Sequence, residues 1–269
     1  MQNLEHKERP IGVFDSGIGG LTVVKEIRKV LPKEAIIYFG DSARVPYGTK
    51  SKETILRFAR EDVKFLQRFN VKVIVAACFS VSSNALEELR KETSIPIIGM
   101  IGPGINNILE KSYKKIGIIG TQATITSKTF ERVLKNKLKG IKIYSKACPL
   151  FVPLVEEGWF SGKVPELVAE EYLAPLLDNN IEALILACTH YPLLYPTIKK
   201  IIGEKVDIIE PGKEVAIFLK KFLENNNLIG FGRNSLSLYF SDIPRDFRKI
   251  IKNFLGTYPR KIHLVNVEN

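Results

Sequence analysis

Residues 71–78 read VKVIVAAC, and residues 181–188 read IEALILAC. Both are short apolar runs that end in Ala-Cys. Each follows, at nearly the same distance, another pair of look-alike runs: IGVFDS at 11–16 and IGIIGT at 116–121. Gly12 to Cys78 spans 66 positions and Gly117 to Cys188 spans 71. The same parts in the same order predict two similar α/β domains related by a pseudo-twofold axis. Chance likeness is the competing reading, because short apolar strands recur in this class.

Outward from these runs the pattern continues. Val- and Ile-rich strands are predicted at 11–14, 35–39, 73–77, 97–99, 116–119, 141–144, 183–187 and 207–209. Amphipathic helices are predicted at 20–30, 52–68, 81–92, 127–137, 165–178, 195–202 and 214–225. Continuous apolar strands separated by helices imply parallel sheets covered on both faces. A tail strand at 236–240 and a helix at 247–254 complete the chain. Pro-Gly steps at 102–104 and 211–212 mark turns where the chain can cross between domains. The expected division is 1–100 plus 213–269 for the first domain and 101–212 for the second.

The composition excludes several classes. With 269 residues, 45% of them apolar, the chain can bury a sizeable core. No apolar run reaches the roughly 18 to 20 residues that a membrane span needs. The opening MQNLEHKERP lacks the apolar middle of a signal peptide, so a cytoplasmic protein is expected. Three cysteines, at 78, 148 and 188, form neither a disulfide framework nor a zinc motif. The net charge is +11, but the lysines are scattered rather than gathered in a patch. A solvated surface is expected, with no nucleic-acid partner; steering of a small anionic substrate is compatible with it.

In parallel sheets, ligands bind beyond the carboxyl ends of the strands. Both Ala-Cys strands end there, so two facing domains place one thiol on each side of a cleft. Inverting a stereocentre needs a base on one face of a carbon and an acid on the other. Cysteine serves in either role once its pKa is tuned. Buried packing is the alternative for both Cys78 and Cys188. Thr189 and His190 follow Cys188 directly, where they can bind a carboxylate and tune the thiol. No second cluster at metal spacing is present, so no metal is expected.

The run Asp15-Ser16-Gly17-Ile18-Gly19-Gly20 follows the first strand. It matches neither a Walker A loop nor G-x-G-x-x-G, since Thr22 stands at the third glycine. Asp15 is read either as a proton relay or as a helix cap worth about 1 kcal/mol. In the loop 40–50, the Pro46-Tyr47-Gly48 turn offers a phenol and the backbone N–H groups of Tyr47 and Gly48 to a ligand. Glu156 and Glu157, after a strand-like run, are either an acid near the cleft or an exposed helix start. Cys148 is read as structural.

These stretches resemble the glutamate racemases over nearly the whole chain: PIGVFDSGIGGLTV, YFGDSARVPYG, VAAC with SSNAL, IGIIGTQAT, CPLFVPLVEEG and LILACTHYPLL. The resemblance implies interconversion of L- and D-glutamate for peptidoglycan, with no cofactor or metal, by a homodimer. It implies that Cys78 and Cys188 transfer protons, that Asp15 assists the first and His190 the second, and that Glu156 lies near the cleft. Ser16, Tyr47, Gly48, Ser80 and Thr189 fall at substrate-holding positions. Phe79-Ser80 stands where the family usually has Asn-Thr. Phe79 lacks the amide that Asn offers, a loss of roughly 1.5–3 kcal/mol to a charged group. A racemase of altered specificity is therefore one alternative, and a non-catalytic amino-acid-binding relative another. A smaller departure is Glu210-Pro211-Gly212, where the family tends to have Asp-Ser-Gly.

Overall fold

The computed structural model describes residues 2–232, 234–243, 247–259 and 261–266. Among the described residues, ten strands form two sheets. They are β1 (Ile11–Asp15), β2 (Ile36–Gly40), β3 (Val73–Ala76), β4 (Ile97–Gly99), β5 (Lys115–Gly120), β6 (Lys142–Ala147), β7 (Ala183–Ala187), β8 (Asp207–Ile209), β9 (Leu236–Phe240) and β10 (Ile262–Leu264). The first sheet runs β10-β9-β2-β1-β3-β4 and the second β6-β5-β7-β8. Every strand pairing among the described residues is parallel. The protein is thus built of two parallel-sheet α/β domains.

The two sheets share one winding. In each, the first strand of the repeat lies between the second and the third, with the fourth outermost. The central strands β1, β3 and β7 are buried along their whole length, as continuous apolar runs demand when helices cover both faces. Register then fixes where the cysteines fall. Phe14 pairs with Ala76, so Cys78 emerges beside Ser16. Gly120 pairs with Ala187, so Cys188 emerges beside Thr121. Both thiols leave their sheets at a point where the strand order reverses, the crevice in which open α/β sheets bind ligands.

Local chemistry accounts for several boundaries. Ser51 caps the helix Lys52–Gln67 by accepting from the Thr54 N–H at 3.2 Å. Pro211 opens the helix Pro211–Asn225 at a position where its missing N–H costs nothing, three residues before the predicted start. The predicted helix 81–92 is instead two, Phe79–Asn84 and Leu86–Lys91. The Asn84 amide donates to Ser80 O at 2.9 Å and Ala123 O at 3.2 Å, and the helix stops there. The strand-like run before Glu156 is a helix, Phe151–Glu156, and β10 was not anticipated. The Gly102–Gly104 turn is a short helix, Ile101–Gly104, and a Cβ added at Gly104 would sit 2.5 Å from Pro211 Cβ. The two chain crossings therefore touch each other.

Candidate active site

The loop after β1 turns back sharply. The Asp15 carboxylate accepts the Gly20 N–H at 3.0 Å, and the Tyr38 hydroxyl donates to Gly17 O at 2.7 Å. Asp15 therefore ties the start of the helix Leu21–Val30, as a cap would. It also faces the other domain: Thr189 Oγ1 donates to Asp15 Oδ1 at 3.5 Å. Gly19 permits that approach, since a Cβ there would lie 2.3 Å from Thr189 Oγ1 and 2.5 Å from His190 Nδ1. Thr22 Oγ1 fastens the same seam by donating to Thr189 O at 3.0 Å.

Each thiol has its own polar companion. Cys78 donates to Ser16 Oγ at 3.7 Å, and Cys188 lies 3.9 Å from His190 Nδ1. The other ring nitrogen of His190 contacts Glu156 Oε1 at 3.2 Å. Both cysteines are 5% exposed. Cys78 packs with the core under the helix Lys52–Gln67, and Cys188 with the core shared by both sheets. Between them runs the polar seam of Ser16, Asp15, Thr189 and His190.

The electrostatics differ on the two sides. Burial, with the Asp15 charge added, pushes the Cys78 thiol up to about 12; the Val81 N–H and Ser16 oppose this, and Cys188 adds to it. Cys78 is a neutral thiol at neutral pH. Burial works against a charged His190, but hydrogen bonds to Cys188 and Glu156 and their charges outweigh it, lifting His190 to about 10. His190 is therefore an imidazolium with one N–H toward Cys188 and the other toward Glu156. Burial also raises Asp15, opposed by the His190 charge and the N–H groups of Gly20, Gly17 and Ser16.

A third group closes the seam. Ser80 Oγ lies 3.0 Å from Thr121 Oγ1, which lies 3.0 Å from Thr124 Oγ1. Gly48 presses against this cluster, since a Cβ there would be 2.4 Å from Thr121 Cβ. The Tyr47 phenol does not face the seam. It points into the first domain, bonded to Asp41 and, at 3.1 Å, to Asp62. Only the backbone of Tyr47 and Gly48 is left for a ligand. Phe79 is buried and stacked on Phe130 at 6.0 Å, 19° between planes. Its ring lines a cavity of about 120 Å³ with Met100, Leu186 and Cys188. A larger cavity, about 710 Å³, opens beside Gly17, Glu156, Glu157 and Phe247.

The expected residues Asp15, Ser16, Cys78, Ser80, Glu156, Cys188, Thr189 and His190 thus lie along one seam. Thr121 and Thr124 were not expected in it. The repeat held the signal: Thr121 stands where Ser16 stands in the first copy. Phe254, edge-on to His190 at 5.5 Å, carried no such signal. Cys148 is buried away from the seam's hydrogen bonds. Among the described residues, no group of three or more His, Cys, Asp or Glu side chains is placed to hold a metal ion. None of the described helices is long and apolar enough to cross a membrane.

Known proteins share this architecture. The model of the Asp/Glu/hydantoin racemase family matches residues 11–217. Glutamate racemase from Aquifex aeolicus is 47% identical over 247 residues, covering 91% of this chain and 94% of that protein. The Chlorobaculum tepidum glutamate racemase is 42% identical over 270 residues, covering 98% and 99%. The crystal structure of Francisella tularensis glutamate racemase in complex with D-glutamate superposes with a TM-score of 0.92 at 42% identity, over 97% of this chain and 99% of that one. By sequence, by fold and by the order of its motifs, this chain belongs to the Asp/Glu/hydantoin racemase family and, within it, to the glutamate racemases.

Proposed function

We propose that the chain interconverts L- and D-glutamate by a two-base proton transfer between Cys78 and Cys188. One observation carries this reading. Two thiols emerge from matching strand ends of two like sheets, and a single polar seam links them while only one faces an imidazolium. The glutamate named for the relatives, and the D-glutamate bound in the Francisella tularensis enzyme, support the substrate.

The family's pattern gives the order of the steps, and the His190 imidazolium beside Cys188 and the neutral thiol of Cys78 support it. Cys188, beside the imidazolium of His190, takes the α-proton of L-glutamate as its thiolate. The electron pair stays on the α-carbon, delocalised into the carboxylate. The neutral Cys78 thiol gives its proton to the opposite face, leaving D-glutamate, a protonated Cys188 and an ionised Cys78. Glu156 orients His190, and Asp15 assists Cys78. The substrate's ammonium and carboxylates are held by Asp15 and Ser16, the backbone of Tyr47 and Gly48, the amides of Phe79 and Ser80, and Thr189 with His190. Thr121 and Thr124 add hydroxyl donors. Closure of the seam excludes water and strengthens these interactions.

The cleft lies between a domain of residues 1–100 with 213–269 and one of residues 101–212. Positions 1, 233, 244–246, 260 and 267–269 of the first lie outside the described residues. The enzyme works as a cytoplasmic homodimer that supplies D-glutamate for peptidoglycan. Phe79 favours a second reading, a racemase for a less polar amino acid, because a buried ring replaces an amide donor. Purified protein with L-glutamate in D2O and no added cofactor tests the proposal: optical inversion with solvent deuterium at the α-carbon is expected. Binding without exchange would sink it, and a panel of L-amino acids separates the two substrates.

A further inference from the structure

Under the Tyr47–Gly48 turn lies a buried acidic cluster that the proton chemistry does not use. Asp41 and Asp62 are both fully buried, and both carboxylates touch the Tyr47 phenol oxygen. A phenol has one proton to give. Asp41 is the acceptor: besides Tyr47 it receives Arg44 Nε at 2.6 Å and Ser241 Oγ at 2.8 Å. Asp62 has one hydrogen bond, the 3.1 Å contact to Tyr47, while its other oxygen is buried without a hydrogen-bond partner and meets Arg44 only as an ion pair at 3.7 Å. An ionised carboxylate left in that state is costly. The hydrogen in the 3.1 Å contact therefore belongs to Asp62, and donation runs from Asp62 to Tyr47 to Asp41.

We infer that Asp62 is a positioning residue for the substrate: as a neutral carboxylic acid it donates to Tyr47 and so fixes the Tyr47–Gly48 turn against Thr121. The turn is otherwise held by the Tyr47–Asp41 bond, and Asp41 in turn by Arg44, which also reaches Glu61 and stacks on Phe58 at 4.1 Å. Burial first, then the Asp41 charge, raises Asp62 well above the usual carboxylate range; Arg44 and the Tyr47 hydroxyl oppose the shift, and Glu61 adds to it. Ionising Asp62 sets a second anion beside Asp41 and takes its proton away from Tyr47. The turn then loosens at the point where it meets the second domain.

The inference rests on the racemase reading for its substrate, and the test keeps the two apart. In Asp62→Leu, which removes the donor, KM for L-glutamate should rise about tenfold with kcat changed far less. In Asp62→Asn, whose amide replaces the lost donor, KM should return close to wild type. The wild-type KM should climb at alkaline pH, and that climb should be absent in Asp62→Asn. Amide hydrogen exchange at residues 47–49 should be faster in Asp62→Leu than in the other two proteins. Asp62→Asn as impaired as Asp62→Leu, or Asp62→Leu with wild-type KM and exchange, would overturn the inference. Should wild-type protein leave L-glutamate unchanged, the racemase reading falls, and the exchange rates alone decide whether Asp62 fastens the turn.

Discussion

His190 Nδ1 lies 3.9 Å from the Cys188 sulfur, whereas the Asp15 carboxylate has no hydrogen bond to Cys78 and instead meets Thr189 at 3.5 Å. The two thiols are therefore served unequally. L- and D-glutamate are equally stable, so kcat/KM must match in both directions of the full reaction. The inequality emerges only when one thiol is removed. Cys78→Ser should still exchange the α-hydrogen of L-glutamate with D2O, and Cys188→Ser that of D-glutamate. Adding His190→Asn should slow the first by about 10²–10⁴ and spare the second. Equal slowing of both exchanges would deny His190 a role at one thiol.

His190 also links stability to pH. Its folded value of about 10 stands above the ordinary 6.5, so the folded chain holds this proton more tightly than the unfolded chain does. The resulting stabilisation is whole below about pH 6.5 and is lost as pH climbs through 10. The useful quantity is a difference between two proteins, which cancels whatever else changes with pH. The thermal midpoint of wild type minus that of His190→Asn should shrink between pH 7 and 10. A difference that holds constant over that window would mean a neutral imidazole.

The two-sheet architecture and the paired thiols were readable because each strand ended in the same two residues at the same depth of its repeat. Thr121 was not, although its stretch was in view. A threonine before a helix has an ordinary local use, and Thr121 fulfils it by accepting the Thr124 N–H at 3.4 Å. Its second contact, to Ser80, exists only because the two domains meet. The inward turn of the Tyr47 phenol was hidden for the same reason. Its partners are Asp41, six residues back, and Asp62, fifteen residues on, and local pattern does not say which face of a helix a distant loop will cover. The break between the helices Phe79–Asn84 and Leu86–Lys91 likewise needs Ala123, a carbonyl from the other domain.

Phe79 offers a test of substrate recognition. Its ring stacks on Phe130, and in the proposed site it offers the amino acid a backbone amide in place of a side-chain donor. Phe79→Asn should lower KM for glutamate about tenfold by restoring one hydrogen bond to a charged group. It should also cost about 3 kcal/mol or more, because a buried ring is lost. Steady-state kinetics well below the new thermal midpoint, with urea unfolding alongside, read both effects. A KM for glutamate that rises, with another amino acid now poorer as well, would assign the ring itself to the substrate pocket.

Far from the seam, Lys72 and Glu34 form an ion pair at 2.5 Å whose side chains are 1% and 3% exposed. Lys72 Nζ also donates to Lys7 O at 2.7 Å and Leu228 O at 2.9 Å, so all three of its protons are used. Glu34 Oε1 accepts the Gly230 N–H at 2.7 Å. The pair thus pins residues 7 and 228–230 beneath the amino ends of β2 and β3, the end of the sheet opposite Cys78. Burial lowers the Lys72 pKa, and Glu34 opposes that shift, so the ammonium depends on its partner. Lys72→Met leaves Glu34 as a buried anion and should cost about 3–5 kcal/mol in urea unfolding. Adding Glu34→Met removes the stranded charge and should recover part of that loss, since an ion pair replaced whole by apolar groups is often near neutral. KM for glutamate should stay at the wild-type value in both proteins. A double variant no more stable than the single would mean that the backbone carbonyls of Lys7 and Leu228, rather than Glu34, are what the ammonium holds in place.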